Sequence, residues 1–229
     1  MKLIGVTGKS GAGKTTFSDY LKENSKDIEV IHIDDLLRDI KLKYFKFLMK
    51  KDKNGEKTKV DSKLKNYIYK TKPIFFMFSK FRAKLIEPAL NRRLRELQGK
   101  RIVIIDDIFI KYHKIYKDLK QIYLVERTYV DRRKSLQQRD EITKEEIVAY
   151  DMAHFTGNYK EIKDDKRVIK IQNNSNEEAL RKKAREVYLE KMLSEREKLL
   201  RENKVIKLEK VRVASKEQTP KIKEAEFLR

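Results

Sequence analysis

The chain has 229 residues, enough for one domain of ordinary size with a buried core and some extra length. Charged residues make up 41% of it, against about a quarter in an average domain, and 57 basic against 36 acidic side chains leave a net charge of +21. That surplus favours polyanionic partners, from nucleotides to nucleic acid, while the absence of cysteine excludes disulfides, thiolate metal sites and a cysteine nucleophile.

Lys2 to Val6 is a short apolar run ending in a glycine-rich turn. No apolar run approaches the roughly 18 residues of a membrane span. With a strand-like segment at the N-terminus in place of a signal peptide, the expectation is a cytoplasmic protein. Thr15 to Asn24 has helical spacing, with Phe17, Tyr20 and Leu21 on one side. Ile28 to Ile33 is a β-branched run ending in acids. From Leu36 to about Asn91 the pattern is mostly helical and basic, broken by a polar turn at Asn54-Gly55. Pro73 and Pro88 mark a loop and a helix start or kink.

Arg101 to Ile105 is an apolar strand bounded by Gly99 and by Asp106-Asp107, and Gln121 to Val125 reads the same way. Thr128 to Gln138 is helical and Arg139 to Thr143 a turn. Thr143-Lys144-Glu145-Glu146 has capping-box form, opening a helix to about His154. Arg167 to Ile171 is a fifth strand, and Asn176 is placed to cap a last helix striped by Leu180, Ala184, Val187, Tyr188 and Met192. Strands apolar throughout and alternating with helices predict an α/β fold, a five-stranded parallel sheet covered on both faces. Residues 181–229 carry 16 basic and 9 acidic side chains, a surplus of 7. The expected division is a domain over 1–190 followed by a charged helix or tail over 191–229, docked and then solvated, with a monomer as the expected state.

Gly8-Lys9-Ser10-Gly11-Ala12-Gly13-Lys14-Thr15 satisfies G-x-x-x-x-G-K-[ST], directly after a strand and before a helix. Glycines let the backbone curl so that successive N–H groups face one phosphate chain, and the helix N-terminus adds its positive end. Lys14 would reach the β/γ-phosphates and Thr15 would coordinate Mg²⁺. The expected ligands are therefore ATP and Mg²⁺, held by Gly8 to Thr15 together with Thr16. Carboxylates at strand ends come next: Asp34-Asp35 and Asp106-Asp107 could accept a proton from an attacking hydroxyl or hold magnesium water, and Asp106 is assigned to the metal side. Arg132, Arg133 and Arg139 lie on or just after one helix, where a lid over about 127–155 would neutralise the transferring phosphoryl group, Arg139 foremost.

In this order the features resemble the dephospho-CoA kinase family, over residues 1 to about 190. Gly5 to Thr15 is similar to its opening loop, and Val30-Ile31-His32-Ile33-Asp34 to its Asp-x-Asp segment, with His32 in the first acidic place. Asn54-Gly55 with Leu64 to Tyr69, Glu87-Pro88, Arg139-Asp140 with Thr143 to Glu146, and the Asn-rich Ile171 to Ser175 resemble later family segments. The resemblance implies a P-loop NTPase three-layer sandwich with an acceptor-binding helical insertion near 40–95. It implies phosphoryl transfer from ATP to the ribose 3′-hydroxyl of dephospho-CoA, with Asp34 as general base and Asn173 and Asn174 near the adenine. Lys9 stands for a usual glycine and Glu87 for a histidine. Where the family has an arginine before Arg139 this chain has Ser135, so Arg132 or Arg133 would have to substitute.

A nucleoside or nucleoside-monophosphate kinase is the nearest alternative, and a nucleotide-gated nucleic-acid-binding protein using the basic tail is a more distant one. His113 and His154 are isolated and fit surface or hydrogen-bonded core roles. Ile74 to Phe78 with Phe81 reads as buried helix or pocket wall.

Overall fold

The computed structural model describes residues 1–44, 49–51, 57–60, 71–140, 147–148, 151, 158–174 and 176–193. Five strands form one parallel sheet: β1 (Lys2–Thr7), β2 (Ile28–His32), β5 (Ile102–Asp106), β6 (Gln121–Glu126) and β7 (Val168–Gln172), in the order β2-β5-β1-β6-β7. Interior strand β5 is buried at every position, as a strand covered on both faces must be.

Helices α1 (Lys14–Glu23), α2 (Ile33–Tyr44) and α3 (Lys72–Glu96) precede β5; α4 (Tyr129–Asp140), α5 (Asn158–Lys163) and α6 (Glu177–Val187) follow β6. Strand alternation decides what each covers. Val103 and Ile105 of β5 join Ile31, Ile33, Leu37, Ile86, Leu90 and Leu94 in one core beneath α2 and α3. On the opposite face Phe17 of α1 meets the Tyr123 ring edge-on, centroids 5.8 Å apart. The result is a three-layer sandwich.

Several local expectations are corrected. Pro88 does not start a helix: it lies inside α3, which runs from Lys72 to Glu96 with Pro73 in its first turn. Pro88 faces solvent while Ile86, Leu90 and Leu94 on the other side stay buried, so packing outweighs the lost backbone hydrogen bond. β2 passes into α2 with no loop, and Asp34 and Asp35 occupy that helix's first turn. The segment read as mostly helical contains an antiparallel pair, β3 (Met49–Lys51) with β4 (Lys57–Val60). Asp140 still belongs to α4, beyond the predicted end at Gln138. The Asn54-Gly55 turn, Leu64 to Tyr69, Thr143 to Glu146 and His154 lie outside the described residues.

Asn176 caps α6 as expected, its Oδ1 accepting the Ala179 N–H at 2.9 Å, and Leu180 and Ala184 are buried. The chain divides into two compact units, Met1–Arg185 and Glu186–Arg229. Of the second, 186–193 is described: the end of α6 and a π-turn (Tyr188–Met192), closed by the Leu193 N–H donating to the Tyr188 carbonyl. No helix among the described residues is long and apolar enough to cross a membrane.

Candidate active site

The loop between β1 and α1 curls through three glycines with positive φ: Gly8 at 148°, Gly11 at 76° and Gly13 at 92°. Two of them leave no room for a side chain. A β-carbon on Gly8 would run into the Val125 carbonyl, and one on Gly13 into the Asn173 side-chain amide. That amide donates to the Ala12 carbonyl at 2.8 Å, so Asn173, beyond the end of β7, braces the back of the loop. Asn174 next to it lines a neighbouring cleft.

Gly13 ends the loop in a left-handed conformation and the Phe17 N–H donates to its carbonyl, which starts α1 there. The first N–H groups of a helix have no intrahelical acceptor, and Lys14, Thr15 and Thr16 present theirs at this mouth. The first turn of α1 contains no acid, whereas α2 opens with Asp34 and Asp35 and α6 with Glu177 and Glu178. The positive end of α1 therefore has no acid of its own, and the Lys14 ammonium pairs with none of the described residues. Lys9, within the loop, sits 5.3 Å from the centre of the Tyr159 ring, and burial lowers its pKa.

Thr15 is tied to the adjoining strand. Its hydroxyl donates to Asp106 Oδ2 at 2.9 Å, and His32 Nδ1 lies 3.0 Å from the same oxygen. The other His32 nitrogen is 3.1 Å from Asp19 Oδ1. The Asp106 hydrogen bond, against the opposing effect of burial, raises the imidazole pKa. Asp106 Oδ1 is buried and accepts no hydrogen bond. A carboxylate oxygen left over in this way, beside a threonine hydroxyl at a phosphate-shaped loop, fits a Mg²⁺ ion or its water. The described residues contain no cluster of three carboxylate or histidine ligands, so such an ion would also need phosphate oxygens and water.

A second carboxylate cluster lies across the strand. Asp107 accepts from Arg82 through both oxygens, Nη1 to Oδ2 at 3.0 Å and Nη2 to Oδ1 at 2.9 Å, and from His113 Nε2 at 2.7 Å. Burial alone would raise its pKa, but the Arg82 guanidinium and His113 hold it well below the usual carboxylate range. Arg82 also donates from Nη2 to Asp34 Oδ1 at 3.0 Å and lies 4.9 Å from the centre of the Phe109 ring. Asp34 is thus directed toward Arg82.

On the other side of the loop a cleft of about 300 Å³ is lined by Lys9, Thr128, Arg132, Asp151, Tyr159 and Asn174, among others. Arg132 is 2% exposed, donates to the Ser10 carbonyl at 3.1 Å and pairs with Asp151. Arg139 falls in the last turn of α4; its side chain lies outside the described residues.

The structure therefore brings Gly8 to Thr16, Asp106 and Asn173 together and sets Asn174 at the adjoining cleft. Asp34 stands in a separate cluster. Sequence reasoning missed Arg82, Asp19 and the pairing of His113, although His113 has the hydrogen-bonded core role expected of it. Met77 and Phe81, expected to be buried or in a pocket wall, are 66% and 55% exposed.

No protein-family model matches the sequence, and no curated protein matches it. Among solved structures, TT1252 from Thermus thermophilus superposes with a TM-score of 0.58 at 20% identity, over 83% of this chain and 97% of that one. Dephospho-CoA kinase from Campylobacter jejuni gives 0.43 at 18% identity, over 81% and 95%. A sugar kinase from Janibacter sp. HTCC2649 gives 0.44 at 10%, over 80% and 92%. The first of these similarities is one of fold. Sheet order, parallel strands and the glycine loop before α1 together make this a P-loop NTPase fold.

Proposed function

We propose that the chain is an ATP-dependent phosphotransferase acting on a hydroxyl of a small nucleotide-like acceptor, with dephospho-CoA first among the candidates. One observation carries the phosphotransferase reading: the Thr15–Asp106 hydrogen bond, with its spare buried carboxylate oxygen, at a helix start that has no acid in its own first turn. The choice of acceptor is supported by the ordered sequence resemblance, above all His32-Ile33-Asp34 and Arg139-Asp140.

In this reading the loop amides and Lys14 grip the phosphate chain and orient it along the mouth of α1. Thr15 and Asp106 would hold Mg²⁺, which when bound neutralises charge on the phosphates. Asp34 takes the proton of the acceptor hydroxyl as its oxygen attacks in line, and Arg139 meets the charge on the transferring group. The cleft beside Tyr159 and Asn174 takes the rest of the donor nucleotide.

The test is ADP release from ATP and Mg²⁺ with dephospho-CoA beside a panel of nucleosides and nucleoside monophosphates. Release with dephospho-CoA alone, and a 3′-phosphorylated product, is the expected result. Release with a nucleoside or nucleoside monophosphate instead transfers the reading to that acceptor class. Failure of every acceptor removes the phosphotransferase assignment. Asp34→Asn is expected to lower turnover by about 10²-fold, the usual cost of losing a general base.

A further inference from the structure

Asp34 has a side chain 86% exposed, yet one of its oxygens is fixed to a guanidinium that is 3% exposed. Exposed carboxylates ordinarily sample several rotamers, and a base that must meet one hydroxyl gains from not doing so. The holder is itself held. Both Asp107 oxygens grip Arg82 in a fork, His113 closes on Asp107 from the turn Ile110–Tyr112 and its flank, and the Phe109 ring stacks near the guanidinium. Four parts of the chain thus converge: the start of α2, the middle of α3, the end of β5 and the turn after it.

Stability does not require this arrangement. A buried ion pair loses solvation on both sides and is often replaceable by apolar side chains without loss. What the charged pair provides is direction. Two of the guanidinium's donors are aligned by Asp107, and the plane of the fork then fixes where Nη2 offers a bond to Asp34 Oδ1. Asp34 Oδ2 accepts from none of the described residues, so it is the oxygen left to receive a proton.

We propose that Arg82, aligned by Asp107 and His113, is a positioning residue that sets the Asp34 carboxylate for proton acceptance from the acceptor hydroxyl. The inference rests on Asp34 being the base. Arg82 touches neither substrate nor reacting atoms in this scheme; it acts through Asp34.

The test is a kinetic cycle on acceptor-dependent ADP release, with the acceptor that the panel above selects. Arg82→Lys keeps the charge against Asp107 but lacks the fork. It is expected to lower kcat by about 10- to 100-fold with the KM for ATP unchanged, and to cause no further loss in an Asp34→Asn background. An Arg82→Met/Asp107→Leu/His113→Leu triple variant leaves neither a buried charge nor an orphaned imidazole in that cluster, melts near the wild type, and is expected to show the same kcat loss. Loss in Asp34→Asn combined with unchanged kcat in Arg82→Lys, or with effects that multiply, overturns the positioning role alone. Full turnover in Asp34→Asn, or no acceptor-dependent release, overturns the base reading and this inference with it.

Discussion

Asp106 and Asp107 are neighbours in sequence and opposites in circumstance. Asp106 ends β5 on the α1 side, with Thr15 and His32 on one oxygen and nothing on the other. Asp107 turns to the α3 side, where Arg82 and His113 occupy both of its oxygens. One step along a strand moves a side chain to the opposite face, so the two enter different environments at no cost to the backbone. An incompletely satisfied buried carboxylate marks a place where a ligand is needed to finish the coordination; a completely satisfied one holds other side chains in place. The pair separates these two uses of the same chemical group within two residues.

The separation can be broken by experiment. The largest effect is expected on the α1 side: Asp106→Asn keeps acceptors for Thr15 and His32 but removes the charge, and should cut Mg²⁺-dependent turnover by about 10²- to 10³-fold with little change in melting temperature. Comparable destabilisation in place of lost turnover would erase the distinction. Asp107→Asn should weigh chiefly on stability, with the kcat loss that follows from misaligning Arg82 added to it. It takes from Arg82 its buried counter-ion, leaving the exposed Asp34 carboxylate, and is expected to cost about 3–5 kcal/mol in denaturant unfolding.

Acid sharpens the contrast further. The Asp107 pKa is depressed in the folded state, so its contribution to stability is complete above the unfolded-state value, about 4, and is lost as pH falls toward the folded value. Unfolding free energy measured from pH 5 to pH 2 should fall less steeply in Arg82→Met/Asp107→Leu/His113→Leu than in the wild type. The smallest effect is expected for Phe109→Leu, which removes the ring near Arg82 and should cost about 1 kcal/mol.

Much of the frame was legible because it is written in local patterns. Short runs rich in β-branched and apolar residues, interrupted by Glu29 and His32 in β2 and by Lys170 in β7, marked all five strands of the main sheet, and the spacing of G-x-x-x-x-G-K-T marked the loop. The β3–β4 pair was not legible: Met49-Lys50-Lys51 and Lys57-Thr58-Lys59-Val60 have almost no apolar alternation to distinguish a strand from a basic helix. Pro88 misled because its position in the sequence does not tell which face of α3 it occupies. At the site, Asp106 could be assigned from its place at a strand end. Arg82 could not, since its partners lie 48 residues before it and 25 after, and a lone arginine in a chain this basic carries no signal.

The brace between Asn173 and Ala12 spans 161 positions of sequence. Although the glycine loop is encoded in eight residues, Gly8 to Thr15, its back wall arrives with the strand that follows α5, and its own strand is flanked by β5 and β6. A growing chain therefore emerges loop first and completes the loop late. N-terminal fragments that stop short of residue 168 contain every letter of the motif without the surface that gives it shape, and nucleotide affinity should appear abruptly, as a property of the finished sheet.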